Sequence, residues 1–166
     1  MAQIWNQNDL VKGDNLLLWL TSGKTVVAYA TSCSLQTDAE TIDTSSKFSS
    51  KWANAMGGKA SYTISADALY CNNETGISFD KLLEFMVKGE AIDWYIGQEQ
   101  GIDVWNPDGT LDNDSNPHTL DTEKAYYNGK GVITSCSLEA GNNEIASCSI
   151  SITGAGELRI KDAQIK

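Results

Sequence analysis

Apolar and polar residues alternate with a period of two through most of the chain, which predicts strands presenting one face inward and one outward. Residues 16–36 read as two strands folded around Ser22-Gly23, a turn in which the glycine is free to take positive φ. In the second of them Thr25, Val27, Tyr29, Thr31, Cys33 and Leu35 alternate with Val26, Ala28, Ala30, Ser32, Ser34 and Gln36, so Cys33 falls on the more apolar face. Residues 59–71 predict a third strand, with Ala60, Tyr62, Ile64, Ala66, Ala68 and Tyr70 on one side. After Ser78 the period changes: Phe79, Leu82, Leu83 and Met86 have helical spacing, Asp80 lies near the positive end and Gly89 just past the last turn. One helix of about three turns is expected there. Strand patterns resume at 91–97, 124–138, 144–154 and near 157–163, with a short Ala140-Gly141-Asn142-Asn143 turn between two of them.

Two stretches lose the alternation, residues 37–58 and 98–122, and both are longer than compact domains normally carry without a task. The pattern as a whole predicts a mainly β fold: an antiparallel β-sandwich or barrel with one flanking α-helix and two long loops, in a single domain over residues 1–166. The first loop holds Phe48, Trp52 and Met56 beside Lys47 and Lys51. Large apolar groups on a polar connection suit an interface that orders on assembly, or else a loop folded over its own domain with Trp52 plugging a sheet edge. The second loop carries Asp103, Asp108, Asp112 and Asp114, and residues 93–123 contain no Lys or Arg. Its Asn106, Asp108, Gly109, Asp112 and Asp114 miss the first and last ligand positions of a calcium loop, which would fall on Val104 and Ser115, so no metal is assigned.

Charge narrows the choice of function. Twelve Lys and Arg against 22 Asp and Glu give −10 in 166 residues, a balance that repels a phosphate backbone. The longest apolar run, residues 16–20, is too short to span a bilayer, and residues 1–9 lack the basic and apolar regions of a secretory signal. Four cysteines without Cys-x-x-Cys spacing and a lone His118 exclude a zinc finger or ribbon. With one His and one Arg there is no Ser-His-Asp or Cys-His set, so neither an enzyme nor a cofactor is expected.

Thr-Ser-Cys-Ser-Leu occurs at 31–35 and again at 134–138, and Ser147-Cys148-Ser149-Ile150 repeats its core. In each copy cysteine takes the place of a small core hydrophobe and serine the opposite face, which predicts strands sharing one core rather than redox chemistry. Ser147, Ser149, Ser151 and Thr153 form such a hydroxyl face, which alternation alone reads equally as a lumen lining or as an ordinary solvent face.

Three segments resemble the major tail tube proteins of long-tailed phages and prophages. Residues 27–47, from Val27-Ala28-Tyr29 through Ser32-Cys33-Ser34 to Lys47, are similar to the family's early strand and the polar loop it runs into. Trp52 with residues 59–70, including Asp67-Ala68-Leu69, resembles the Trp-bearing loop that returns through a Ser/Thr-rich strand. Residues 131–138 and 146–158, with Gly154-Ala155-Gly156, resemble the closing hairpin and the Gly-x-Gly-x-Leu ending. The resemblance implies a structural subunit of a virion tail, made in the bacterial host cytoplasm, that assembles with itself into stacked rings of six and meets other tail proteins. DNA would pass the lumen without specific binding, with no membrane involved, and the acidic loop would face either lumen or solvent. The competing expectation is a β-sandwich binding module presenting Trp52, Trp94 or Trp105 to a glycan or protein.

Overall fold

The computed structural model describes residues 11, 13, 16–27, 30–45, 53–71, 76–100 and 119–161. In chain order the elements are β1 (Leu16–Leu20), β2 (Thr25–Val26), β3 (Ala30–Asp43), β4 (Ala55–Leu69), α1 (Phe79–Lys88), β5 (Ile92–Gln98), β6 (Tyr126–Glu139), β7 (Ser147–Gly154) and β8 (Arg159–Lys161). The strands form one eight-stranded sheet in the order β2-β1-β5-β6-β7-β4-β3, with β8 pairing β6, and every strand pairing is antiparallel.

Connectivity forces this sheet to roll up. β2 and β3 are its two opposite edges, yet they follow one another in the chain with only residues 27–29 between them. A flat path of seven strands is about 29 Å wide, whereas four residues reach at most about 14 Å. The edges therefore meet, and the Cys33 thiol of β3 donates to the Leu16 carbonyl of β1 at 3.7 Å. The expected sandwich or barrel thus takes the form of a single curled sheet.

Inside the curl lie Leu18, Leu20, Ile64, Trp94 and Ile152, with Leu82 of α1 packed against the same core. Trp94 meets Tyr62 edge-on, ring centroids 5.4 Å apart, and the Tyr62 hydroxyl donates to the Lys130 carbonyl at 2.6 Å. Gly154 is needed where it stands, because a Cβ there would come within 2.6 Å of the Tyr62 ring. The helix obeys its sequence signals. Gly89 ends it in the left-handed conformation at φ 64, its N–H bonded to the Phe85 and Met86 carbonyls.

A second, smaller cluster covers the opposite face of the sheet, where Trp19, Leu120 and Tyr126 are buried together. The Lys24 ammonium lies 5.5 Å from the Tyr95 ring centroid and 6.0 Å from that of Tyr126. Leu120 is held there by backbone bonds on either side, Gln100 N–H to Thr119 O at 2.8 Å and Asp121 N–H to Gln98 O at 2.9 Å. The stretch expected as loop over 98–122 is therefore paired at its base, and residues 101–118 lie outside the described residues.

Three expectations are corrected. The first turn does not use a left-handed Gly23; Thr21 and Lys24 take φ 67 and 52 instead. The Thr21 N–H is already bonded to Asp93 O of β5 at 2.7 Å, so the bend falls on either side of Ser22-Gly23. The strand read continuously from Thr25 to Gln36 is broken after Val26, since its halves pair at opposite edges of the sheet. Finally, the loop expected over 37–58 is strand over 37–43 and again over 55–58. Both faces of that segment are almost wholly exposed, so nothing in its composition had to alternate.

Candidate functional site

Two surfaces stand out. The first is the convex face of β3, β4, β7 and the C-terminal half of β6. Registers place Ser32, Asp67, Ser149 and Ser137 in one row across the four strands, and Ser34, Ser65, Ser151 and Ser135 in the next. Gln36, Thr63 and Thr153 continue a third row that ends on the half-buried Val132 of β6, and Thr134 in the β6 bulge lies 3.2 Å from Thr153, hydroxyl to hydroxyl. The inward partners of these rows are core groups: Cys33, Ala66, Ile150 and Cys136 lie side by side beneath the hydroxyls.

Asp67 is the single charge in these three rows. The Ser32 hydroxyl donates to its carboxylate at 2.7 Å, and hydrogen bonds from Ser32 and then Ser149 hold its carboxyl below the usual carboxylate range. The face is wettable, carries no cation and stays anionic into the acid range. It offers a polyanion no charge partner to dwell on.

Residues 147, 149, 151 and 153 all sit on this face; Ser149 and Thr153 are exposed, Ser147 and Ser151 half-buried. All four cysteines are free; Cys148 is buried, and burial pushes the Cys33, Cys136 and Cys148 thiols above their ordinary value. They pack the core as the repeated Ser-Cys-Ser pattern predicts.

The second surface is a projecting hairpin. β4 pairs with β7 only from Thr63 onward, while β3 and β4 continue together to the Asp43/Ala55 pair. The far half of this hairpin has no third strand among the described residues, and a lone two-stranded ribbon is marginal in water. Near its end Ile42 and Met56 face each other across the strands, 53% and 58% exposed. Met56 thus belongs to this arm, whereas Lys47, Phe48, Lys51 and Trp52 lie outside the described residues, as do Asp103, Asp108, Asp112 and Asp114.

The tryptophans offered to a ligand under the binding-module reading fare differently. Trp94 is fully buried in the core and presents nothing to a partner, while Trp52 and Trp105 lie outside the described residues. Sequence reasoning missed the exposed Ile42/Met56 pair, because the signal is cross-strand and appears only once the register is known. Among the described residues no cluster of His, Cys, Asp and Glu could hold a metal ion, and no helix is long and apolar enough to cross a membrane.

Comparison with known proteins adds three findings. A family model described as phage tail tube protein matches residues 11–159. No curated protein is significantly similar to the chain. Among solved structures, the fold is similar to a chain in the virion of a native gene transfer agent particle, at TM-score 0.66 and 20% identity over 91% of this chain and 98% of that one. A chain from the tail of the empty gene transfer agent particle, refined with C6 symmetry, matches at TM-score 0.66 and 21% identity over 90% and 98%. The SPP1 tail tube matches at TM-score 0.60 and 12% identity over 92% and 80%. At such identities these likenesses speak to the fold.

Proposed function

The chain belongs to the phage tail tube protein family and is a structural subunit of a tail tube, and on that footing we propose how its surfaces divide the work. Copies close into rings of six, the symmetry used for the similar gene transfer agent tail, and the rings stack into a hollow tube in the virion tail. The hydroxyl face of β3, β4, β7 and β6 lines the lumen. The observation that carries this reading is the charge on that face: three rows of side chains across four strands hold Asp67 as their one ionised group and no Lys or Arg, and the positions next to them, Glu139 opposite Ser147 and Asp38 opposite Ser61, are acidic too. DNA passes such a wall without being held. The Ser/Thr lining offers water-like hydrogen bonding in every direction, and the carboxylate keeps phosphates off the surface.

The projecting hairpin, with Met56 and the adjoining Lys47, Phe48, Lys51 and Trp52, makes the contacts between subunits. Residues 103–114, with four aspartates, add to the negative field that keeps nucleic acid from sticking. The subunit works by assembly rather than by catalysis, is made in the host cytoplasm, and meets further tail proteins at the ends of the tube. Solved structures similar to it include an anti-feeding prophage tube-terminating cap and an anti-feeding prophage baseplate.

Thiol labelling tests the lumen assignment. A Ser149→Cys variant should react with a bulky polymer-linked maleimide as free subunit and lose that reactivity in assembled tubes. Val87→Cys, on the exposed side of α1, serves as a comparison at a site outside the lumen face. Equal labelling of Ser149→Cys before and after assembly would remove the hydroxyl face from the lumen.

A further inference from the structure

Two hairpins end at opposite ends of the sheet in turns of opposite charge. At one end the strands of the projecting arm are still joined at Thr44 and Asn54, the Thr44 N–H bonded to the Asn54 carbonyl at 2.9 Å, and residues 46–52 connect them. That connection holds Lys47, Phe48, Lys51 and Trp52 and no acid. At the other end β6 and β7 pair as far as Glu139 and Ser147, and residues 137–145 are all exposed. They include Leu138, Glu139, Glu144 and Ile145 and no Lys or Arg; Ile145 is 72% exposed, and neither acid has an ion-pair partner among the described residues. Alternation puts Leu138 and Glu139 on opposite faces of the sheet, so a partner meets both only end-on, at the turn. β4 runs the whole way between the two ends: its Ala55 pairs with Asp43 in the arm and its Leu69 with Ser147 beside the turn. Its 15 residues extend over roughly 45 Å, so the two turns of one chain stay apart and come together only between copies.

We propose that residues 46–52 of one copy dock end-on against the β6–β7 turn of a copy in the next ring, Lys47 and Lys51 answering Glu139 and Glu144, and Phe48 and Trp52 covering Ile145. The proposal rests on the tube reading and names the surface that receives the arm. A stack that continues without end repeats one head-to-tail contact, in which the front of each ring meets the back of the next. With the hydroxyl face toward the lumen the strands lie in the tube wall, so the arm leaves the subunit at one edge and the β6–β7 turn forms the opposite edge. Charge selects this direction of stacking. Two arm tips set against each other bring lysines together, and two β6–β7 turns bring glutamates together, whereas front to back sets unlike charges side by side. The apolar groups add contact area at the same place.

Charge reversal tests the contact, with rings and tubes counted by electron microscopy, tube mass followed by sedimentation and subunit folding by circular dichroism. Glu139→Lys with Glu144→Lys should raise the concentration needed for tubes by about tenfold or more while rings still close. Tenfold corresponds to about 1.4 kcal/mol per added ring, which six contacts reach at about 0.2 kcal/mol each, the low end for an exposed ion pair. Lys47→Glu with Lys51→Glu should do the same, and all four reversals in one chain should restore tubes at nearly the original concentration. If a reversed pair unfolds the subunit, Glu139→Gln with Glu144→Gln should still raise that concentration, and its difference from the unaltered protein should shrink at high salt. Tubes forming unchanged from either reversed pair, or no recovery in the fourfold variant, would overturn this contact while leaving the tube reading intact. Loss of rings together with tubes would overturn its place between rings. Absence of both from the unaltered protein would instead overturn the tube reading, and this contact with it.

Discussion

Tubes built from subunits carrying Ser65→Lys and Ser137→Lys should assemble normally and yet fail to let DNA through. Both serines are exposed, lie two strands apart on the hydroxyl face and make no contact with the core, so each substitution should change subunit stability by no more than about 0.5 kcal/mol. In a ring every copy contributes its lysines at the same height, and stacking repeats that collar along the tube. Each lysine that meets a phosphate releases a condensed counterion, so attraction accumulates with every contact and falls steeply with salt. A barrier to sliding of about 1.4 kcal/mol already slows passage about tenfold. The measurement is DNA delivery by particles carrying variant tails, set against the number of intact particles seen by microscopy. Delivery should fall by at least about tenfold with particle number unchanged. Serine to glutamate at the same two positions should leave delivery near normal. If lysine and glutamate variants deliver equally, the face does not meet DNA.

The largest stability loss should come from Trp94→Ala. Trp94 is fully buried in the curl of the sheet and meets Tyr62 edge-on. Removing so large a side chain costs its transfer free energy and leaves a cavity that the ring of strands around it cannot collapse, about 3–5 kcal/mol in all. Domains of this size shift by about 2–4 °C per kcal/mol, so the melting temperature should drop by roughly 6–20 °C. Trp94→Phe should cost far less. The indole Nε1 is buried without a hydrogen-bond partner among the described residues, so losing that donor offsets part of the lost volume. Thermal unfolding of both variants, followed by circular dichroism, checks the order; a phenylalanine variant as unstable as the alanine one would show that indole volume outweighs the unpartnered donor.

Much of this architecture was legible in the residue pattern because the core sets a period wherever one face is buried. β5, β6, β7 and α1 fall where alternation or helical spacing places them, and the hydroxyl row of β7 is read directly from Ser147, Ser149, Ser151 and Thr153. The pattern fails where burial no longer distinguishes two faces. The far half of the β3/β4 hairpin is exposed on both sides, so its Ser, Thr, Asp and Gly residues look like loop although the backbone ladder runs through them. Long-range pairing is invisible for a different reason. Nothing local in residues 25–36 records that β2 and β3 join opposite edges of the sheet, which is what closes it. The same limit hid the exposed Ile42/Met56 pair, which exists only through the register of β3 against β4.

Helical reconstruction by cryo-electron microscopy of the concentrated protein tests the account most directly. The prediction is a hollow filament of stacked six-membered rings in which β3, β4, β7 and β6 turn Ser34, Ser65, Ser149 and Ser135 toward the lumen, with α1 on the outside. A filament lined by α1, or a subunit that stays monomeric at every concentration even when seeded with preformed tubes, would contradict it.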